Sequence, residues 1–232
     1  MIDYITIRNF YPDPYAIRDY AFEQEYHRRE QSLEVNGVES NFPGWRTKKD
    51  VGIKTEFVLN KIQQVLEPVH GKVVKWENPW NGLLQYCTHR DRAWIHTDVP
   101  GTWAGVLFLT PNAPNGSGTG FFEHLQTGVK RRIPDVDNDE INPMSFSDTN
   151  MHPLNDLCMS DGSDFGKWRL IEEISNEFNK LILYRGDYWH TSLKYFGWNI
   201  YTGRLFQTFF FTTEDEHDYL KDYYTIPPAG RG

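Results

Sequence analysis

Two periodicities divide the chain. Up to about residue 70, apolar positions recur at helical spacing; beyond it they fall into short runs that suit strands. Residues 2–8 alternate loosely and predict a first strand. Asp13-Pro14 predicts a helix start, with Asp as the cap and Pro at the first position, followed by Tyr15, Ile17, Tyr20 and Ala21 at helical spacing. Residues 30–50 are polar and punctuated by Gly and Pro, and read as loop. Phe57, Val58, Ile62 and Val65 predict a second amphipathic helix over 53–69. Then come the runs Val73–Trp76, Leu83–Cys87, Trp94–Thr97, Trp103–Leu109, Lys180–Tyr184 and Arg204–Phe211. Helices followed by many strands predict an antiparallel barrel or sandwich with the helices packed outside.

Three stretches interrupt this rhythm. Residues 111–120 (PNAPNGSGTG) are a turn cluster, and Gly116, Gly118 and Gly120 lack the spacing and the βαβ setting of a dinucleotide fingerprint. Residues 134–165 are polar and acidic, long enough for a lid or an unstructured loop. Residues 168–178 fit helix or strand equally well, and no internal repeat is present.

The formal net charge of -8 makes a phosphate-backbone partner unexpected, so no nucleic acid is foreseen; Lys130-Arg131-Arg132 is read as a solvated loop. Cys87 and Cys158 form no CxxC motif or disulfide framework. The start has no basic-then-apolar leader, and no run reaches membrane-spanning length. These features predict a cytoplasmic protein with no membrane partner. Phe, Tyr and Trp number 15, 13 and 8, so much of the core and of any pocket wall is aromatic.

The chemistry-bearing residues begin with His96-Thr97-Asp98 at the end of a β-rich run. In a strand, i and i+2 share a face, so His96 and Asp98 project together. A second His would complete a two-His-one-carboxylate triad, which leaves metal positions open for oxygen chemistry. His190 has the right context: it follows the buried run Leu181-Ile182-Leu183-Tyr184 and the turn Arg185-Gly186-Asp187. His27, His70, His89, His124, His152 and His217 are read as surface or structural. Arg204 opens the run RLFQTFFF and shares a face with Phe206, Thr208 and Phe210. An Arg on so apolar a face is costly without an anion, and its planar fork matches a carboxylate.

HxD, then strand-turn-His, then Arg on the next strand resembles the 2-oxoglutarate- and Fe(II)-dependent dioxygenases. The likeness is to the prolyl-hydroxylase-like branch and to uncharacterised phage and bacterial relatives. It covers roughly residues 80–212 and includes Leu83-Leu84-Gln85-Tyr86, Gly120-Phe121-Phe122-Glu123 and Asn179–Tyr184. The resemblance implies an α+β protein with a double-stranded β-helix (jelly-roll) core and N-terminal helices packed on one sheet. It implies Fe(II) on His96, Asp98 and His190, with 2-oxoglutarate on Arg204 assisted by Tyr86. It implies hydroxylation of a small-molecule or peptide substrate with O2, and conversion of 2-oxoglutarate to succinate. One dioxygenase domain would fill 1–232: a helical buttress 1–70, a β-core 71–212 with the insertion 134–165, and a tail 213–232. Two departures stand out. Phe206 occupies the place where many relatives have Ser, and Arg204 stands where collagen-type prolyl hydroxylases use Lys. Asp98 argues against the halogenase variants, which have a small residue there.

Asp135–Glu140 (DVDNDE) fails the EF-hand pattern, with Glu140 where Gly is needed and Phe146 where Glu is needed, and reads as a solvated acidic loop. Trp45 and Arg46, after the Pro43-Gly44 turn, are placed either at a substrate entrance or in a packed turn. If segment 134–165 covers the metal, it favours a cationic substrate. Two other readings remain open: a cupin-type dioxygenase without 2-oxoglutarate, and a non-enzymatic jelly-roll binding or virion-associated module.

Overall fold

A computed structural model describes residues 2–48, 52–53, 55–76, 80–98, 102–133 and 152–216. In chain order the elements are β1 (Tyr4–Ile7), α1 (Pro14–Phe22), β2 (Tyr26–His27), α2 (Ser32–Asn36), β3 (Trp45–Thr47), α3 (Glu56–His70), β4 (Leu83–Cys87), β5 (Trp103–Phe108), β6 (Thr119–His124), α4 (Pro153–Ser160), β7 (Trp168–Ile174), β8 (Leu181–Arg185), β9 (His190–Ser192) and β10 (Arg204–Phe211). They form a seven-stranded sheet in the order β1-β8-β5-β10-β4-β3-β2 and a three-stranded sheet β7-β6-β9. All the ladders are antiparallel. Two facing antiparallel sheets with helices outside make a jelly-roll-like α+β architecture.

Strand alternation sorts the core into layers. On β10, Leu205, Phe209 and Phe211 point outward and join Leu107, Leu181 and Leu183 under α1 and α3. The inward face of the large sheet carries Ala104, Phe108, Ile182 and Tyr184, which meet Phe121 and Ile174 of the small sheet. Behind the small sheet, Phe122, Trp168 and Trp189 pack with Cys158 of α4.

The helix starts follow capping chemistry. Asp13 accepts from the Tyr15 and Ala16 amides, and Pro14 opens α1. Thr55 caps α3. The phase of α3 differs from expectation: Val58, Ile62 and Leu66 are buried, while Phe57 and Val65 are exposed. The stripe bends toward Leu66 because i, i+4 and i+8 lie along the line of contact with the sheet.

Other expectations are corrected by tertiary pairing. Residues 30–50 hold α2 and β3, and the first 47 residues supply β1, β2 and β3 to the large sheet. Val73 and His96 make isolated bridges, to Thr213 and His190, instead of belonging to strands. Residues 168–174 are strand β7, paired along β6. Within 134–165, residues 134–151, and so the DVDNDE run, lie outside the described residues; 153–160 are α4. α4 buries Asn155, whose amide answers both backbone groups of Ile133. Arg131 is not a solvated loop residue: it pairs at 2.7 Å with Asp187, which is wholly buried. No helix among the described residues is long and apolar enough to cross a membrane.

Candidate functional site

His96 and His190 face each other as an antiparallel backbone pair, His96 N donating to His190 O (3.1 Å) and His190 N to His96 O (2.9 Å). Their rings lie 4.6 Å apart. Asp98 is held from the next turn, its amide donating to Gly186 O at 2.6 Å. The Arg185-Gly186-Asp187 turn is thus a built corner. Arg185 donates to Asp215 at 2.6 Å, Asp187 accepts from Arg131 at 2.8 Å, and the Gly186 carbonyl fixes Asp98.

Each imidazole is oriented by the backbone two residues before it. His96 Nδ1 lies 3.0 Å from Trp94 O, and His190 Nδ1 lies 2.8 Å from Tyr188 O. A carbonyl only accepts, so Nδ1 carries a proton in both rings and Nε2 is the nitrogen left to face a metal. His190 Nε2 is 3.5 Å from Asp98 Oδ2. The three ligand atoms of His96, Asp98 and His190 lie within 4.8 Å of one another, and this is the one such group of His, Cys, Asp or Glu among the described residues. Burial, and then the neighbouring His96, lower the His190 pKa to about 4, so this imidazole is neutral near pH 7. Two imidazoles and a carboxylate converging in this way fit a divalent metal that takes nitrogen and oxygen donors.

Arg204 opens β10 on the facing sheet and is buried. Its Nε donates to Ser117 O at 3.2 Å, so the turn cluster 111–120 positions it. Its guanidinium lies over Phe206, 4.6 Å from the ring centroid. Among the described residues Nη1 and Nη2 have no partner, and neither has Thr208 Oγ1 on the same face of β10. A buried fork with two open donors is costly unless an anion fills it, which fits a carboxylate ligand.

Tyr86 is the correction. Arg204 pairs with Cys87 and Leu205 with Tyr86, so Tyr86 lies on the opposite face of the sheet from Arg204. There it stacks on Trp45 at 6.1 Å and meets Tyr26 at 5.1 Å. The register brings other groups to the inner face: Cys87, Gln85 and, one strand further, Arg46. The electrostatic neighbours of Arg204 are Tyr195, Cys87 and Tyr184. Tyr195 hydrogen-bonds Ser192 and Cys87, and burial drives its pKa up. Burial pushes the Cys87 thiol up to about 12, so it stays protonated. No sequence signal marks Tyr195. Arg46 is visible only as a cation after an aromatic turn.

The remaining histidines have other tasks. His124 is buried between Asp161 and Thr127, His70 binds Asp215, His89 meets Gly197 O, His152 caps α4 and His27 meets Asn36. His217 lies outside the described residues.

The model of a family of unknown function, DUF6445, matches residues 81–211, more than half of the chain and a stretch that contains all three clustered residues and Arg204. The chain belongs to that family. Among curated proteins no sequence matches. Among solved structures, this DUF6445 member is similar to HygX from Streptomyces hygroscopicus with nickel, 2-oxoglutarate and hygromycin B bound, at TM-score 0.54 and 8% identity over 92% of this chain and 84% of HygX. HygX with nickel and 2-oxoglutarate gives TM-score 0.53 at the same identity and coverage. At this identity the likeness shows a shared fold.

Proposed function

We propose that the protein is an Fe(II)- and 2-oxoglutarate-dependent oxygenase that hydroxylates an organic substrate. One observation carries the reading. Two imidazoles with Nδ1 committed to carbonyls and a carboxylate converge on one side, and a buried Arg204 fork with two open donors stands on the facing sheet. The described folds of HygX bind nickel and 2-oxoglutarate, which supports the same pairing here.

In this reading the two sheets form a double-stranded β-helix. The chain is one dioxygenase domain with a buttress 1–70, a core 71–212 carrying the insertion 134–165, and a tail 213–232. His96, Asp98 and His190 hold Fe(II), and two-His-one-carboxylate ligation leaves adjacent positions open. Arg204 pairs with the distal carboxylate of 2-oxoglutarate. Phe108 and Phe206 wall that carboxylate from water and so strengthen the ion pair. Bound there, Fe(II) with 2-oxoglutarate and O2 supplies the oxidant: one oxygen atom enters the substrate C–H bond, the other enters succinate, and carbon dioxide leaves. Tyr184, packed 4.8 Å from the His190 ring, keeps that imidazole from turning. A reducing cytoplasm suits both ferrous iron and the free, buried Cys87 and Cys158.

The test is an anaerobic titration with Fe(II) and 2-oxoglutarate, following the weak visible charge-transfer band of the ternary complex. The band forms in the wild type and is absent in His190→Ala. A folded wild type that gives no band sinks the reading.

A further inference from the structure

We infer that Arg46 is a substrate-recognition group, and that it pairs with a carboxylate on the substrate. The inference rests on the Fe(II)/2-oxoglutarate reading of the same site.

Register places Arg46 inside. Across three strands, Arg46 pairs with Gln85 and Gln85 with Phe206, so Arg46 shares the inner face with Cys87 and Arg204. Its charge is felt by Asp98 of the triad and by Cys87 and Tyr195, which also neighbour Arg204. Arg46 therefore looks into the space between the sheets, on the side of the centre away from the β1 edge.

The side chain is held ready. Its Nε donates to Gln85 Oε1 at 2.9 Å, and its guanidinium lies 4.3 Å from the Phe42 ring centroid. Gln85 is fixed in turn, its amide donating to Pro43 O at 2.6 Å. These contacts use the Nε edge and one flat face. The two terminal nitrogens stay available as a fork, the part of arginine that matches a carboxylate.

Other cations on and beside β2 and β3 have acid partners: Arg28 pairs with Asp91 at 3.4 Å, Arg29 with Glu30 at 3.1 Å and Lys48 with Glu25 at 2.9 Å. Arg46 makes no ion pair among the described residues. A half-buried guanidinium that is fixed at one edge and unpaired at the other is a preorganised anion receptor.

Charge balance selects the kind of anion. Fe(II) brings two positive charges and Asp98 one negative, while 2-oxoglutarate brings two negative and Arg204 one positive; the loaded centre is neutral. Arg46 adds one positive charge. A monoanionic carboxylate cancels it, whereas the dianion of a phosphate monoester overshoots. The described wall thus points to an anionic substrate, opposite to the cationic one expected from the acidic segment 134–165.

The test uses the full chain, loaded anaerobically with Fe(II) and 2-oxoglutarate so that Arg204 is occupied. Ligand-observed NMR compares benzoate, benzamide, benzylamine and phenyl phosphate as probes. Benzoate is expected to bind at least about tenfold tighter than the other three, and Arg46→Met to remove that preference while Arg46→Lys restores part of it. The charge-transfer band, recorded on the same samples, separates the two readings. No band in the wild type removes the cofactor reading. A band with no benzoate preference in the wild type, or with one that survives in R46M, overturns the role of Arg46 alone. A band lost in a folded R46M assigns Arg46 to 2-oxoglutarate and also overturns it, and tighter binding of phenyl phosphate overturns the carboxylate.

Discussion

At the scale of single residues, the site is organised by very local bonds. His96 and His190 each give the Nδ1 proton to the carbonyl two positions upstream, so one short stretch of extended chain supplies both the candidate ligand and the group that aims it. His190 also titrates with folding. Its pKa is about 4 in the fold against an ordinary 6.5, so between those values the unfolded chain binds the extra proton and stability falls as pH is lowered. From about pH 7 to about pH 5 this single group removes about 2 kcal/mol from the metal-free protein. Urea unfolding at the two pH values checks it: His190→Asn is expected to lose less stability on acidification than wild type by about that amount. Arg204 makes the complementary prediction. Its buried, unpartnered Nη1 and Nη2 are a burden until an anion arrives, so Arg204→Met leaves the ligand-free protein at least as stable as wild type. The same variant raises the 2-oxoglutarate concentration needed for the charge-transfer band at least about 30-fold, the equivalent of roughly 2 kcal/mol, while Fe(II) still binds. A 2-oxoglutarate dependence unchanged in R204M would mean that the fork faces some other ligand. The two imidazoles, the carboxylate and this Arg were legible as residues because each carries chemistry that its surroundings would otherwise punish. Tyr86 was misplaced because a tyrosine suits either face of a sheet, and only the pairing of Leu205 with Tyr86 decides which one it takes.

At the scale of elements, short strands do the positioning. β3 has three residues and reaches β4 because Gly44 takes a left-handed φ of +72° and sits against the Tyr86 backbone. A Cβ at Gly44 would collide with the Tyr86 carbonyl oxygen, and the φ is strained for any side chain. Gly44→Ala is therefore expected to destabilise the protein by about 2 kcal/mol, read by urea unfolding, and to weaken benzoate binding along with it, since the Arg46 strand must move. An unchanged midpoint would mean that the turn relaxes freely. Elements of this kind leave little trace in sequence. β2, β3 and β9 are two or three residues long and exist because longer neighbours present them with a ladder, not because of any period of their own. α4 was hidden for a different reason: its buried face includes Asn155, which earns its place through bonds to Ile133 rather than through apolarity. β4, β8 and β10, by contrast, are buried on both faces and read as near-continuous apolar runs, α1 announces itself through Asp13-Pro14, and α3 through apolar positions at helical spacing.

At the scale of the whole molecule, the proposed cofactors span the gap between the sheets. The candidate metal set sits on the β9 side and the Arg204 fork on β10 of the large sheet, so a 2-oxoglutarate held by both would join the two layers. Metal and co-substrate should then raise the melting temperature together by more than the sum of their separate effects. At free concentrations near 100 times Kd, each contributes about 2.7 kcal/mol, or roughly 5–10 °C for a domain of this size. Anaerobic thermal unfolding with Fe(II), 2-oxoglutarate, both and neither checks this; equal 2-oxoglutarate shifts with and without metal would show that the two do not share a site. The two-layer plan itself was legible from helices followed by short β-rich runs, but the order of strands was not, since β1 joins β8 and β4 joins β10 across most of the chain. One detail of that order bears on the placement of Arg46. β3 meets β4 through two residue pairs only, Trp45 with Tyr86 and Arg46 with Gln85. Shifting that short ladder by one position turns every side chain over. A single-codon deletion between Gly37 and Gly44 that slipped the ladder in this way would set Thr47 opposite Gln85 and Arg46 opposite Tyr86, taking the cation off the inner face while His96, Asp98 and His190 stay where they are.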